Sequence, residues 1–238
     1  MLAHAALAFW LATSPPDAEG DLRAAYDVQT YRLDLSVDPR ARVLTGTVAV
    51  DAVVAQAGLA RLVLDLQPPL EVQSVVELAT AVEPQGALTG KSLTFERKGS
   101  SLSILLSKGL KKGDPVRVAV AYSGKPKEQD VFEGFHWKKT PEGKPWICTC
   151  CQGSGSSAWW PCKDSFWHPE DKPERTFVNL TVPDGLIGVS NGRLTGKEKT
   201  ATGTETFHWV HEYPCETYSI AIDVGPYVVV EQELEVPG

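Results

Sequence analysis

The 238-residue chain has no apolar run near the roughly 18 residues that a membrane-spanning helix needs, so no membrane span is expected. It has no surplus of positive charge either. Lys and Arg number 23 against 30 Asp and Glu, a formal net charge of -7. A dedicated nucleic-acid binder needs cations to neutralise phosphate, so this balance argues against nucleic acid as a partner. Met1 is the only methionine. The five cysteines, Cys148, Cys150, Cys151, Cys162 and Cys215, are an odd number, and no disulfide framework is legible in them. Uninterrupted stretches are short, because 20 Gly and 17 Pro punctuate the chain and leave little room for long helices. There is no Gly-rich phosphate loop opening a helix, no strand–helix alternation and no G-x-S-x-G nucleophile turn.

What is present describes a folded globular protein: 42% hydrophobic and 22% charged residues rule out wholesale disorder. Residues 2–12 read LAHAALAFWLA and run into Thr13, Ser14, Pro15 and Pro16, the pattern of a secretory signal with a small-residue cleavage region, although the first basic residue is Arg23. Residues 1–20 are therefore read as a signal remnant or disordered leader. That reading favours a periplasmic or secreted location, and the segment is set aside from the fold. Residues 97–144 hold 11 Lys and Arg against 5 Asp and Glu, most of them beside Gly or Pro, which describes solvated loops.

From Tyr26 onward the hydrophobic period is two. Tyr31, Leu33, Leu35 and Val37 share one face, and Arg32, Asp34, Ser36 and Asp38 the other. Val48, Val50 and Ala52 alternate with Ala49 and Asp51, and a short run at 62–66 stops at Pro68-Pro69. Residues 70–83 lack Gly and Pro and would suit a helix, but Val72, Val75 and Val76 favour a strand. Further strands are expected at 102–106, 116–122, 177–182, 206–210 and 218–224, separated by turns such as Lys112-Gly113-Asp114-Pro115 and Pro183-Asp184-Gly185. Many short strands with no dividing linker predict an all-β protein, a single large β-sandwich or saddle-shaped sheet domain over 21–238.

Residues 145–192 break the pattern. Trp146, Trp159, Trp160 and Trp167 are four of the seven tryptophans, and a small, flexible stretch at 153–157 precedes Trp159-Trp160-Pro161. This reads as a demanding loop packed by aromatics, with a partly exposed apolar face around Trp159 and Trp160.

In this segment Gln152, Ala158, Pro161-Cys162-x-Asp164, Lys172, Phe177, Val182-Pro183 and Ser190-Asn191-Gly192 follow in an order that resembles the N-terminal domain of the aminopeptidase N family of zinc metallopeptidases, the gluzincins. That family includes the leukotriene epoxide hydrolase, whose Cys-Gln segment is similar to Cys151-Gln152. The opening (Tyr26-Asp27-Val28, Leu44-x-Gly46-x-Val48, Leu62-x-Leu64-Asp65) and the ending (Pro214-x3-Tyr218, Ala221, Val224-Gly225, Tyr227) fit as well, so the resemblance covers about residues 25–230. One departure is Ser165-Phe166-Trp167-His168, where the family often has Pro soon after the Asp. The resemblance implies a β-saddle domain packed against a downstream catalytic domain that carries the zinc. It also implies that the residue matching Gln152 helps hold the free α-amine of a peptide's N-terminus. An amide oxygen can accept from an ammonium without burying an unpaired ion.

The family's catalytic residues are absent from this chain. Its G-x-M-E-N strand needs a second methionine. The nearest approach to H-E-x-x-H is His211-Glu212-Tyr213-Pro214-Cys215, which ends in Cys, places Pro in a required helix interior at a cost of about 3 kcal/mol, and follows a strand pattern. Cys148 and Cys150 fall on one face of a strand and Cys151 on the other, so with Cys162 they read as structural thiols. His136, His168 and His208 are isolated, and the Asn179-Leu180-Thr181 sequon lies in an expected strand. The chain is thus expected to be a non-catalytic domain that covers the cleft of an aminopeptidase and anchors the peptide's N-terminus through Gln152, with no metal ligand and no activity of its own. The alternative is a free-standing β-sandwich binding module that uses the Trp-rich loop as its platform.

Overall fold

In the computed structural model the described residues are 21–128, 133–165, 167–200 and 202–232. The leader at 1–20 and the last residues, 233–238, lie outside them. Fifteen strands follow in order among the described residues: β1 Tyr26–Asp38, β2 Val43–Val54, β3 Leu59–Asp65, β4 Glu71–Leu78, β5 Gly90–Ser92, β6 Phe95–Lys98, β7 Ser101–Leu110, β8 Pro115–Gly124, β9 Glu133–Lys139, β10 Pro145–Cys151, β11 Arg175–Pro183, β12 Ile187–Ser190, β13 Arg193–Lys199, β14 Thr204–His211 and β15 Ile222–Gly225. The only helical turns among these residues are short 3-10 segments at Leu22–Ala25, Ser156–Ala158 and Thr217–Ser219. None is long and apolar enough to cross a membrane.

The strands make three sheets: an eight-stranded sheet in the order β13-β14-β11-β1-β2-β8-β4-β5, a four-stranded sheet β12-β15-β10-β9, and a three-stranded sheet β3-β7-β6. β1 and β11 pair in parallel, Leu33 opposite Val178, while the other pairings among the described residues are antiparallel. The period-two reading of β1 holds on its core side, where Tyr31, Leu33, Leu35 and Val37 are all buried. They meet Leu62, Leu64, Leu102 and Ile104 from the three-stranded sheet and Phe135, Ile147 and Ile222 from the four-stranded one, in one continuous core. Burying each such side chain contributes about 1.5–3 kcal/mol. The 70–83 region resolves as strand over Glu71–Leu78, as its valines indicate.

The polar face of β1 is partly covered: Arg32 is buried. The segment at 79–89 crosses the outer face of the large sheet, seating Val82 and Leu88 on Ala49, Ala119 and Phe177. Arg32 donates to the carbonyls of Glu83 (3.3 Å) and Gly86 (2.9 Å) of that segment. One expectation changes: 218–224 is not one strand. Thr217–Ser219 forms a 3-10 turn, because Ser165 Oγ holds the Tyr218 amide at 3.0 Å, and pairing begins only at Ile222.

Candidate functional site

Gln152 directly follows β10, at the point where the chain leaves the sheet. Its side chain is exposed. The backbone then folds tightly back on itself, with the Gly155 amide donating to the Cys151 carbonyl at 3.1 Å. Gly155 has φ +72, a conformation natural to glycine, and a Cβ built on it would lie 2.3 Å from Asp164 Oδ2. Gly153 is less constrained: a Cβ there would lie 2.0 Å from Glu133 Oε1, the end of a flexible side chain. Asp164 Oδ2 accepts from the Ser157 amide at 2.9 Å, and Gln67 donates from its amide to Ser157 O at 2.8 Å and from Nε2 to Ser154 O at 2.5 Å. The loop that carries Gln152 is thus held by hydrogen bonds to Asp164 and Gln67.

The tryptophans that follow correct an expectation. Trp159 and Trp160 do not form an exposed apolar face; both are completely buried. The ring of Trp160 meets Tyr31 edge-on at 4.9 Å, and Trp159 donates from Nε1 to Cys151 Sγ at 3.3 Å while its carbonyl accepts from Tyr122 Oη at 2.9 Å. A ring pair of this size is drawn inward because the loop closes over the gap between the sheets, where truncating either would cost about 3–5 kcal/mol. The exposed tryptophans among the described residues are Trp146 and Trp167. Trp159 and Trp160 are thus unavailable to the alternative reading of a Trp-rich ligand platform, which leaves it Trp146 and Trp167.

Beneath the loop lies a set of buried charges. Lys163 is 4% exposed and donates from Nζ to Asp171 Oδ2 (2.5 Å) and to the Tyr26 carbonyl (2.8 Å), while its amide donates to Tyr31 Oη (2.9 Å). Arg23 grips Asp65 with two hydrogen bonds of 2.9 and 2.6 Å, and Asp65 exchanges backbone hydrogen bonds with Cys162. Burial raises the Asp65 carboxyl, and the Arg23 pair opposes that rise. His168 joins Asp21 (2.7 Å) to Glu170 (3.0 Å). Burial pushes the Cys151 thiol up to about 12 and the Cys162 thiol well above its ordinary range. These two are structural thiols; Cys148, Cys150 and Cys215 are half-buried and free.

Two cavities meet at Gln152. One of about 470 Å³ is bounded by Thr149, Cys150 and the backbone region 219–221, and one of about 190 Å³ by Gly155, Ser165 and Glu216. Cys151, Gln152 and Tyr218 line both. The wall from Glu216 to Ala221 was missed as a site element, because nothing in the local pattern of 214–221 ties it to the Gln152 loop. Only the Ser165 Oγ contact and the Ser165 amide bonded to Thr217 Oγ1 (3.0 Å) do so.

Another groove of about 470 Å³ lies on the outer face of the large sheet. Six of its polar side chains are occupied with one another: Arg32 with Asp34 (2.9 and 2.7 Å), Asn179 with Asp34 (2.6 Å) and His208 (2.7 Å), and Thr181 with Thr206 (2.8 Å). Asn179 of the sequon is therefore a buried structural amide.

No group of three or more His, Cys, Asp or Glu among the described residues could hold a metal ion. His211 ends strand β14, so the H-E-x-x-H imitation is not helical. The residues present do not fit a zinc centre.

Comparison with known proteins adds the family. An M1 zinc metallopeptidase from Deinococcus radiodurans superposes with a TM-score of 0.68 at 23% identity, over 84% of this chain and 42% of that one. A mutant of that enzyme bound to a Tyr-Ser-Ala substrate gives 0.67 at 24% identity, again over 84% and 42%. Native yeast LTA4 hydrolase gives 0.59 at 22% identity, over 85% of this chain and 29% of that one. These likenesses establish the fold, and the chain spans less than half the length of each enzyme. The profile of the peptidase M1 N-terminal domain matches residues 27–219, most of the sequence. The chain belongs to the peptidase M1 N-terminal domain family.

Proposed function

We propose that this chain is the non-catalytic N-terminal part of a zinc aminopeptidase, covering the catalytic cleft and anchoring the free N-terminus of peptide substrates through Gln152. The zinc and the hydrolytic residues belong to a downstream domain. The observation that carries the reading is the setting of Gln152: an exposed amide on a loop that Gly155, Asp164 and Gln67 hold in place, lining two cavities. Its carbonyl oxygen is a neutral acceptor suited to an ammonium head group. Catalysis needs such a group preorganised, since the ordering cost is then met on folding.

A surface at the other end of β10 from Gln152 supports a domain partner. Trp146, at the far end of β10, is 41% exposed and donates from Nε1 to Tyr227 Oη at 2.9 Å. Val228, Val229 and Val230 are 86%, 68% and 76% exposed. Consecutive exposed valines beside two exposed aromatics make an apolar surface that a folded partner would cover. We assign that role to the downstream domain.

The test is Gln152→Ala in the protein that carries both domains. Losing a hydrogen bond to a charged group costs roughly 1.5–3 kcal/mol, so kcat/KM for free-amine peptides falls by about tenfold to a hundredfold. Fold and zinc content stay unchanged. A change within about twofold would reduce Gln152 to a loop residue.

A further inference from the structure

The groove on the outer face of the large sheet lies across β1 from Tyr31 and the buried tryptophans, and the reading of Gln152 makes no use of it. Strand register sets a row of hydroxyls along its floor. Thr206, Thr181, Ser36 and Thr45 stand directly opposite one another on β14, β11, β1 and β2, and Glu198 of β13 ends the row. Neighbouring strands lie about 4.8 Å apart, so the row spans roughly 19 Å. The Thr181 and Thr206 hydroxyls bond each other at 2.8 Å, whereas those of Ser36 and of Thr47, in the next row, have no hydrogen-bond partner among the described residues. His208 supplies a further unused group. Asn179 Nδ2 donates to Asp34 Oδ1 (2.6 Å) and to the Pro84 carbonyl (2.8 Å), which turns the amide oxygen towards His208 Nδ1 at 2.7 Å. That oxygen can only accept, so Nδ1 carries the proton, and in the neutral ring Nε2 is left as an acceptor. Nε2 has no partner among the described residues, and His208 lines the groove.

This lining selects the chemistry of an occupant. An anion needs a cation with donors to spare. Arg32 is the one cationic side chain on the lining among the described residues, and its donors go to Asp34 and to the Glu83 and Gly86 carbonyls. A bound peptide strand needs an open sheet edge, but β14, β11, β1 and β2 are each paired on both sides. An apolar molecule needs a bare apolar patch, and Ala49, Ala119 and Phe177 on this face already lie under Val82 and Leu88. What remains are hydroxyls, which both donate and accept, with acceptors at Glu198 and His208. A sugar chain presents the complement: many hydroxyls, no charge and an extended shape. We propose that this groove binds a neutral oligosaccharide laid across the strands along the hydroxyl row. Its hydroxyls donate to Glu198 and to His208 Nε2, and exchange hydrogen bonds with Ser36 and Thr47. No Trp, Tyr or Phe among the described residues lines the groove, so stacking adds nothing. Hydrogen bonds that replace bonds to water give a Kd of about 1 mM.

The experiment titrates the full-length protein with maltotetraose, cellotetraose and tetra-N-acetylchitotetraose, and separately with tetra-alanine, by saturation-transfer difference NMR. At least one tetrasaccharide is expected to bind with a Kd of about 1 mM. The double variant Thr181→Val with Thr206→Val removes both hydroxyls of a bonded pair and keeps their shape, so the strands stay intact. It should weaken that sugar about fivefold or more. Glu198→Ala should weaken it by about threefold to fivefold and melt within about 2 °C of the parent, because Glu198 is exposed. Glu198→Ala therefore decides the point even if the paired valines disturb the fold. Gln152→Ala should leave sugar binding unchanged, since that loop packs on the other face of the sheet. Four results would overturn the proposal: no tetrasaccharide binding up to about 10 mM, a sugar that binds with its affinity unmoved by Glu198→Ala, a sugar weakened by Gln152→Ala, or tetra-alanine binding that Glu198→Ala weakens. None of these bears on the amine-anchoring role of Gln152, which the peptide kinetics test by themselves.

Discussion

Gly155 and Asp164 occupy space that no side chain could share: a Cβ on Gly155 would lie 2.3 Å from Asp164 Oδ2, on a residue whose φ is +72. The two act as one unit. The absence of a side chain lets the carboxylate reach the Ser157 amide, and that contact sets the exit of the loop carrying Gln152. Gly155→Ala meets both a left-handed backbone and a displaced buried carboxylate, and should cost about 2–4 kcal/mol. Urea unfolding of the purified chain measures it. A loss under about 1 kcal/mol would mean that the loop relaxes freely and is not a rigid mount.

Lys163 and Asp171 give a sharper contrast. Both side chains are almost wholly buried, 4% and 3% exposed, and the Asp171 carboxylate also accepts from the Val28 amide at 3.3 Å. Asp171→Asn keeps an acceptor for Val28 but leaves the Lys163 ammonium uncompensated, at a cost of about 3–5 kcal/mol. Adding Lys163→Met should restore most of that stability, because the stranded charge is gone. Denaturation of the single and double variants decides the point; a double variant no better than the single would place the loss elsewhere.

Which parts of this were legible in the sequence follows from the physics of each element. β1, β2 and β8 could be read because one face of each is buried and the side chains alternate. β13, with six of seven residues exposed, has no such signature, and the three-residue β5 is too short to carry one. Trp159 and Trp160 were misplaced for the opposite reason. Small residues at 153–157 suggest an open loop, whereas the depth of the rings is decided by long-range partners, Tyr31 and Tyr122. Gln152 was legible only through its order among Cys151, Pro161, Cys162 and Asp164. Glu216 and Tyr218 were not, since Ser165 and Thr217 join them to the site through single hydrogen bonds.

The cysteines give a test that depends on pH. Burial pushes the Cys151 thiol up to about 12, whereas an unfolded cysteine ionises near 8.5. The native chain therefore keeps a proton that the unfolded chain loses. The contribution of this group to stability is fully present below about pH 8.5 and is lost as pH rises towards 12. Cys151→Ala should flatten the decline of stability between about pH 8.5 and 10.5. In the same range Cys151 and the fully buried Cys162 should resist iodoacetamide in the folded chain, while Cys148, Cys150 and Cys215 react first. Mass spectrometry of the alkylated peptides assigns each site; early labelling of Cys151 or Cys162 would contradict the packing.

The exposed valines separate an isolated surface from a covered one. Val229 is 68% exposed, so in the 238-residue chain by itself Val229→Asp should change stability by no more than about 0.5 kcal/mol. If a downstream domain covers Val229, the same substitution in the longer protein places a carboxylate in an apolar contact. It then costs the lost burial of roughly 1.5–3 kcal/mol together with desolvation of the charge. Thermal unfolding of both proteins, each with and without the substitution, compares the two situations. A larger fall in melting temperature for the longer protein supports the assigned surface. Equal small effects in both would show that the valines stay in water and that the two domains meet on another face.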